Sequence, residues 1–205
     1  MKNKFTAEHI LKELGITEEV IAVFPYGSRV YQNDNQFSDH DYIIVTKSTL
    51  SSGAFKNNAV SNSDYTIQGV VYSRSGFIHA INEYEIGAME CLSLEKEDII
   101  LKKWPFKVTK WVEKDMVNKI IHKASASRHI ADKNAKHDHR EQAKKGVFHA
   151  IRILYFGLQL KEHRKIVNFG ECNKLYKQIM SIDAEDFDTR NWYAHFDTLK
   201  EKLES

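Results

Sequence analysis

The chain has 205 residues, 42% hydrophobic and 28% charged, with a formal net charge of +2, values ordinary for a globular protein of one domain or two small ones. Charges interrupt the apolar positions of MKNKFTAEHILKELG, which excludes a signal peptide or a membrane span there. Cys91 and Cys172 stand far apart without metal-ligand spacing, so a reduced, cytoplasmic protein with no membrane partner is expected. The charge is unevenly spread. Residues 1–100 carry 8 basic and 14 acidic side chains, residues 101–145 carry 13 and 5, and residues 146–205 carry 9 of each. An acidic first half beside a basic middle suits a metal-binding part and a phosphate-attracting part; a solvated lysine-rich helix face gives the same balance.

Taken in chain order, TAEHILKELG reads as a short helix, with Thr6 as N-cap and Gly15 as its stop. EVIAVFPYG is an apolar run closed by Pro25 and Gly27, consistent with a buried strand. DHDYIIV is a second strand, and the Ser- and Asn-rich residues 48–64 read as an irregular excursion. YTIQGVVY alternates as a third strand, and SGFIHAINEYEIGAMECLSLE as helix in two pieces broken near Gly87. Strand signals cease at LKKWPFK, and Pro105 marks a boundary. Residues 108–125 and roughly 140–160 read as helices joined by a His- and Lys-rich connection. A further helix begins near Cys172, and HFDTLKEKLE closes the chain. The pattern is α/β in residues 1–105 and helical in residues 106–205.

Alternation along DHDYIIV puts Asp39, Asp41, Ile43 and Val45 on one face and His40, Tyr42 and Ile44 on the other. Two carboxylates about 7 Å apart along a strand can converge on a hard divalent cation such as Mg²⁺. Upstream, Gly27-Ser28 follows a strand and opens a tight turn, whose amides can hold a phosphate. A phosphate beside a carboxylate-bound metal is the arrangement that nucleotidyl transfer needs.

On these residues the chain resembles the DNA polymerase β-like nucleotidyltransferase superfamily, whose fingerprint is a hydrophobic residue, Gly-Gly or Gly-Ser, nine to thirteen residues, then Asp-x-Asp or Asp-x-Glu in a strand. Tyr26-Gly27-Ser28, ten intervening residues and Asp39-His40-Asp41-Tyr42 match it. The fuller form GSRVY…SDHDY is similar to a bacterial and phage branch of predicted nucleotidyltransferases. The likeness spans residues 20–100 and extends to KKGVFHAIRIL, similar to a His-x-x-Arg helix of that branch. Two departures are Gln32, where the branch has glycine, and His40, where it has a hydrophobic residue. The resemblance implies an α+β fold, an α/β core with a mixed sheet followed by a helical C-terminal part. It implies transfer of an NMP from an NTP to a hydroxyl, releasing pyrophosphate. Asp39 and Asp41 would hold Mg²⁺ or Mn²⁺, Gly27 and Ser28 the β- and γ-phosphates, and Arg29 either a phosphate or Asp39. A third carboxylate is usual on the adjacent strand; Asp64 is a candidate, while the register of VVYSRSGF puts Gln68 there instead.

In the helical half, Lys145, His149, Arg152 and Phe156 share a helical stripe that suits a triphosphate or, equally simply, a solvated basic edge, beside an apolar stripe of Val147, Ile151, Leu154, Tyr155 and Leu158. His137 and His139 in KHDHR suit a solvated loop better than a metal. RNWYAH has the Arg190 to His195 spacing of HEPN ribonucleases, but that spacing is expected about once by chance in a chain with ten histidines. Three acceptor classes stay open: RNA, favoured by the basic 101–145 segment; a protein or small molecule; or none, in a catalytically silent nucleotide- or RNA-binding module.

Overall fold

The computed structural model describes residues 5–36, 38–48, 55–61 and 65–205. The fold is α+β: helices and a five-stranded mixed sheet, then further helices. It divides into two compact units, Met1–Lys110 and Trp111–Ser205.

In the first unit, helix α1 (Ala7–Glu13) starts where Thr6 accepts a hydrogen bond from the His9 amide at 3.3 Å. Strand β1 (Val20–Tyr26) leads through Gly27 into the four-residue helix α2 (Ser28–Tyr31). Then come β2 (His40–Thr46), β3 (Phe55–Ser61) and β4 (Thr66–Ser73). Helices α3 (Arg74–Asn82) and α4 (Ile86–Ser93) follow, then a two-residue strand β5 (Leu101–Lys102). The sheet order is β3-β4-β2-β1-β5. β2 is central, parallel to β4 and antiparallel to β1. Pro25 is tolerated inside β1 because β5 pairs only with Ala22 and Val23, so no partner on that edge needs the missing N–H.

The two faces of the sheet are both covered. On one, Ile10 of α1 and Leu14, the residue after it, pack with Val23, Tyr42, Ile44, Ile67 and Val71. On the other, Phe77 of α3 stacks on Phe24 with ring centroids 5.7 Å apart and meets Tyr72 and Phe106 edge-on. His40 belongs to the α1 side: it is 7% exposed and its ring lies 4.8 Å from that of Phe5. The aspartates therefore lie on the α3/α4 side, as the alternation expects.

Two expectations are corrected. Residues 55–61, read as irregular, form β3, an edge strand paired antiparallel with β4; an edge strand need not show an apolar alternation, because backbone pairing holds it. The break between α3 and α4 falls near Gly87, as expected, with Tyr84 taking a left-handed φ of 53°. Gly87 lies within α4 and faces Ile43 and Tyr26. The strand signals also continue one step further than expected, into β5.

In the second unit, α5 (Glu113–Lys136) runs unbroken through the His- and Lys-rich stretch read as a connection. No Gly or Pro interrupts it, and buried Ala124, Ser127 and Ala131 continue its inner face. Asp138, at φ 60°, turns the chain into α6 (Arg140–His163). Then come α7 (Asn173–Met180), a 3-10 turn at Thr189–Trp192, and α8 (Tyr193–Glu204). Gly157 of α6 is where three helices meet: a Cβ there would lie 2.6 Å from Ile120 of α5 and 2.9 Å from Leu203 of α8. Alanine is the better helix former by about 1 kcal/mol, but overpacking a closed core costs about 1–3 kcal/mol. Gly157→Ala is therefore expected to lower the stability of the second unit, measured by urea unfolding, despite its helix propensity.

Candidate active site

The site is built where β1 ends and β2 begins. Tyr26 pairs with Asp41 across the two strands, so the turn that follows Tyr26 stands directly against the Asp41 side chain. Gly27 has φ 79°, and a Cβ placed on it would sit 2.2 Å from Oδ2 of Asp41. Only glycine satisfies both conditions. The Gly27 carbonyl then accepts from the amides of Val30 and Tyr31 at 3.0 and 3.3 Å, which closes α2. The amides of Ser28 and Arg29 head this short helix, where no intrahelical acceptor exists for them.

Two ties hold the turn. Behind it, the Tyr31 hydroxyl donates to Oε2 of Glu90 on α4 at 2.7 Å, with both residues 2% exposed. In front, Arg29 clasps the loop that enters β2. Its Nη1 pairs with Asp34 at 3.1 Å, Nη2 donates to the Ser38 carbonyl at 2.6 Å, and Nε donates to the Asp39 carbonyl at 3.1 Å. Arg29 thus holds the backbone of Asp39 rather than its carboxylate. Gln32 adopts the left-handed conformation, φ 60°, where the resembling branch has glycine. That conformation carries some backbone strain for a residue with a Cβ.

β4 adds the third side of the site. Gln68 lies opposite Asp41 in the parallel register, is exposed, and donates from Nε2 to Oδ2 of Asp39 at 2.7 Å. Asp64, the other candidate for this position, lies outside the described residues. Gly27, Ser28, Arg29, Asp39, Asp41 and Gln68 are thus gathered at one end of the sheet.

The electrostatics show an anionic site. Burial first, and then the charge of Asp39, push the Asp41 carboxyl up from 3.8 to about 6, with Arg29 acting in the opposite direction. A carboxyl whose proton affinity a neighbouring carboxylate raises is also one that a divalent cation between the two would relieve. Among the described residues no group of three or more His, Cys, Asp or Glu side chains could hold a metal. Mg²⁺ is commonly bound by only one or two carboxylates together with substrate phosphates, so the Asp39–Asp41 pair fits that ion.

In the second unit, Lys145, His149 and Arg152 all lie on α6, Lys145 exposed and Arg152 7% exposed. Arg152 sits over the Phe148 and Phe156 rings, 5.5 and 5.9 Å from their centroids. Burial, then Arg152 and Lys123, drive the His149 imidazole down to about 3. It is therefore neutral near pH 7, and its Nδ1 accepts from Nη2 of Arg152 at 2.7 Å. RNWYAH folds as the 3-10 turn and the start of α8. Arg190 is engaged with Asp188, Nη2 to Oδ2 at 2.6 Å, while His195 Nε2 lies 3.4 Å from the Tyr155 hydroxyl. His137 and His139 are exposed at the turn between α5 and α6. Among the described residues no helix is long and apolar enough to cross a membrane.

Sequence reasoning missed Glu90, the anchor of the turn. Its signal was a lone carboxylate within the apolar stretch IGAMECLS, a pattern that calls for a buried partner.

No protein-family model matches the chain, and no curated protein is similar to it. Among solved structures, a nucleotidyltransferase-like protein from Exiguobacterium sibiricum is similar at 14% identity with a TM-score of 0.37, over 97% of this chain and 73% of that one.

The raised Asp41 carboxyl sets a sign for stability. The folded state holds a proton that the unfolded chain gives up near 3.8, so this group's contribution is greatest at low pH and is lost as pH rises through about 6. Asp41→Asn is expected to stabilise the metal-free protein at pH 7 by about 1–2 kcal/mol, less than full linkage because solvent reaches the carboxyl. The advantage should vanish near pH 4, which denaturant unfolding at both pH values checks.

Proposed function

We propose that the first unit transfers a nucleoside monophosphate from an NTP to a hydroxyl acceptor, releasing pyrophosphate. The observation that carries this reading is the approach of Gly27 to Asp41: the turn and the carboxylate pair form one site, closed enough that a methyl group would not fit between them. In this reading Asp39 and Asp41 hold Mg²⁺ or Mn²⁺, which supplies charge neutralisation to the reacting phosphate when bound. Gly27 and Ser28 bind the β- and γ-phosphates through backbone amides and the Ser28 hydroxyl. Arg29 acts through Asp39, fixing the backbone there by donating to the Ser38 and Asp39 carbonyls. Glu90 and Tyr31 hold the turn from behind, so that the phosphate-binding amides need no rearrangement. Lys145, His149 and Arg152, which share a stripe on α6, enter the proposal as phosphate ligands of the second unit taken by itself.

A specific observation favours a second reading. Gln68 stands where the resemblance expects a third carboxylate, and its amide donates to Asp39. An amide is not a base, so a chain without another carboxylate there would bind NTP and metal without efficient transfer.

Purified protein incubated with each labelled NTP, Mg²⁺ or Mn²⁺, and RNA, protein and metabolite fractions tests the transfer. Asp39→Asn and Asp41→Asn are each expected to abolish it with the fold intact, since the isosteric amide cannot offset a divalent charge. Transfer retained by both variants removes the reading. Asp64 and Gln68 are separated by a second comparison. If Asp64 supplies the base, Asp64→Ala lowers turnover by orders of magnitude with NTP affinity nearly unchanged. If Gln68 occupies that place alone, Asp64→Ala is silent and Gln68→Ala has a modest effect.

A further inference from the structure

From residue 99 to residue 112 the chain carries four lysines and no acidic side chain. Beyond β5 this stretch leaves the sheet and runs along α3 as a strap, within the first unit. Its attachments come in order along the helix. The guanidinium of Arg74, the first residue of α3, lies 4.8 Å from the centre of the Trp104 ring. Phe106 is buried, its ring edge-on to Phe77 at 5.0 Å. The Thr109 amide donates to Oδ1 of Asn82 at 3.0 Å, and the Tyr84 hydroxyl donates to the Lys110 carbonyl at 3.0 Å. From Arg74 to Asn82 the strap follows the helix for about 12 Å at 1.5 Å per residue.

The attachments leave one ring and a row of charges outside. Trp104 is 43% exposed, the one exposed Phe, Tyr or Trp among the described residues. A ring of that size usually goes inside. Here Arg74 covers part of it and Pro105 stiffens the backbone beside it, so the ring is held in place rather than left to swing. Lys102, Lys103, Lys107 and Lys110 are all exposed, and among the described residues none of them is in an ion pair. Lys47, Lys144 and Lys200, elsewhere in the chain, each have a carboxylate partner. The acids nearest the end of the strap are Glu83 and Glu85 at the end of α3, and Glu85 is already hydrogen-bonded by the Tyr72 side chain.

A fixed ring followed by uncompensated point charges is the combination that binds an unpaired nucleic-acid strand: a base stacks on the ring and the phosphates meet the charges. A duplex keeps its base faces inside its own stack and offers the ring nothing. An anionic membrane takes up an apolar face of several side chains, whereas Trp104 stands out alone, with Phe106 turned in. The strap also has a direction. It starts at the sheet end away from Gly27, where the Lys103 amide donates to the Ile21 carbonyl at 2.8 Å. It ends at Tyr84, and just beyond, a Cβ on Gly87 would lie 3.5 Å from the ring of Tyr26, the neighbour of Gly27.

We propose that this strap docks a single-stranded nucleic acid, with one base stacked on Trp104 and phosphates on Lys107 and Lys110. That an end of the strand supplies the acceptor hydroxyl rests on the transfer reading above; the docking does not.

The test is fluorescence anisotropy of the full chain with a short labelled oligouridylate and an oligothymidylate of equal length, without NTP or divalent metal, over a series of KCl concentrations. Both strands are expected to bind, because base faces and phosphates are common to them. Trp104→Ala is expected to weaken binding about tenfold or more. Trp104→Phe keeps a ring and should retain most of the affinity while losing the quenching of tryptophan fluorescence that the strand causes in the parent. Lys107→Gln with Lys110→Gln should flatten the slope of log K against log salt by about 1.4, and Lys177→Gln, outside the strap, should bind like the parent. Circular dichroism and melting show that each variant is folded; the two lysine changes, both exposed, disturb stability little and test the surface even if Trp104→Ala unfolds. The docking is overturned if neither strand binds, or if Trp104→Ala and the double lysine variant both bind like the parent. It is also overturned if a duplex of the same length binds as tightly, or if phosphatidylserine vesicles are bound and the strands are not. Asp41→Asn should bind the strands like the parent. Strand binding without any transfer by the parent would therefore sink the enzymatic reading alone, and transfer by a parent that binds neither strand would sink the docking alone.

Discussion

The site depends on the absence of one carbon atom. Gly27 leaves room for Oδ2 of Asp41, and its positive φ turns the chain from β1 into α2. Everything else gathered there follows from that approach. The β1–β2 register sets Tyr26 against Asp41, the β2–β4 register sets Gln68 against the same residue, and both registers are fixed by apolar side chains that would change faces if a strand slipped by one residue. The buried Tyr31–Glu90 bond then locks the turn to α4, and Arg29 locks the incoming loop.

This arrangement opposes stability. A half-buried carboxylate beside a second one is held against both desolvation and repulsion, which is why Asp41 keeps its proton to about pH 6. A fold selected for stability alone would place an amide or an apolar residue there. Cost of this kind, concentrated on a few polar groups at a strand end beside a strained turn, is characteristic of a site that gains its compensation from a ligand. The second unit shows the opposite sign of the same physics: burial among Arg152 and Lys123 removes the charge from His149 and makes its ring an acceptor.

Much of this was legible in the residues. The alternation of DHDYIIV put Asp39 and Asp41 on one face and His40 on the other, because a strand buried on both sides constrains every position. The Thr6 cap and the apolar run of β1 were equally direct. What failed did so where tertiary pairing, not local pattern, decides. β3 is an edge strand held by backbone bonds to β4, so its side chains need not advertise it. α5 passes straight through a segment rich in Lys and His because helix formation tolerates those residues once Ala124, Ser127 and Ala131 supply a buried face. The break near Gly87 was read, but not that Tyr84 takes the left-handed conformation there, with its hydroxyl held by the Lys110 carbonyl at 3.0 Å. The contacts of Arg29 with the carbonyls of Ser38 and Asp39 lie nine and ten residues on in sequence and have no local signature.

The central claim is that the Asp39–Asp41 pair is an anionic site made for a divalent cation. Titration of the Asp41 carboxyl by ¹³C NMR, without and then with Mg²⁺, tests it most directly. The expected result is a midpoint near pH 6 for the metal-free protein and a fall to or below the ordinary 3.8 when Mg²⁺ is added. An ordinary midpoint in the absence of metal, or a raised midpoint that Mg²⁺ leaves in place, would contradict it.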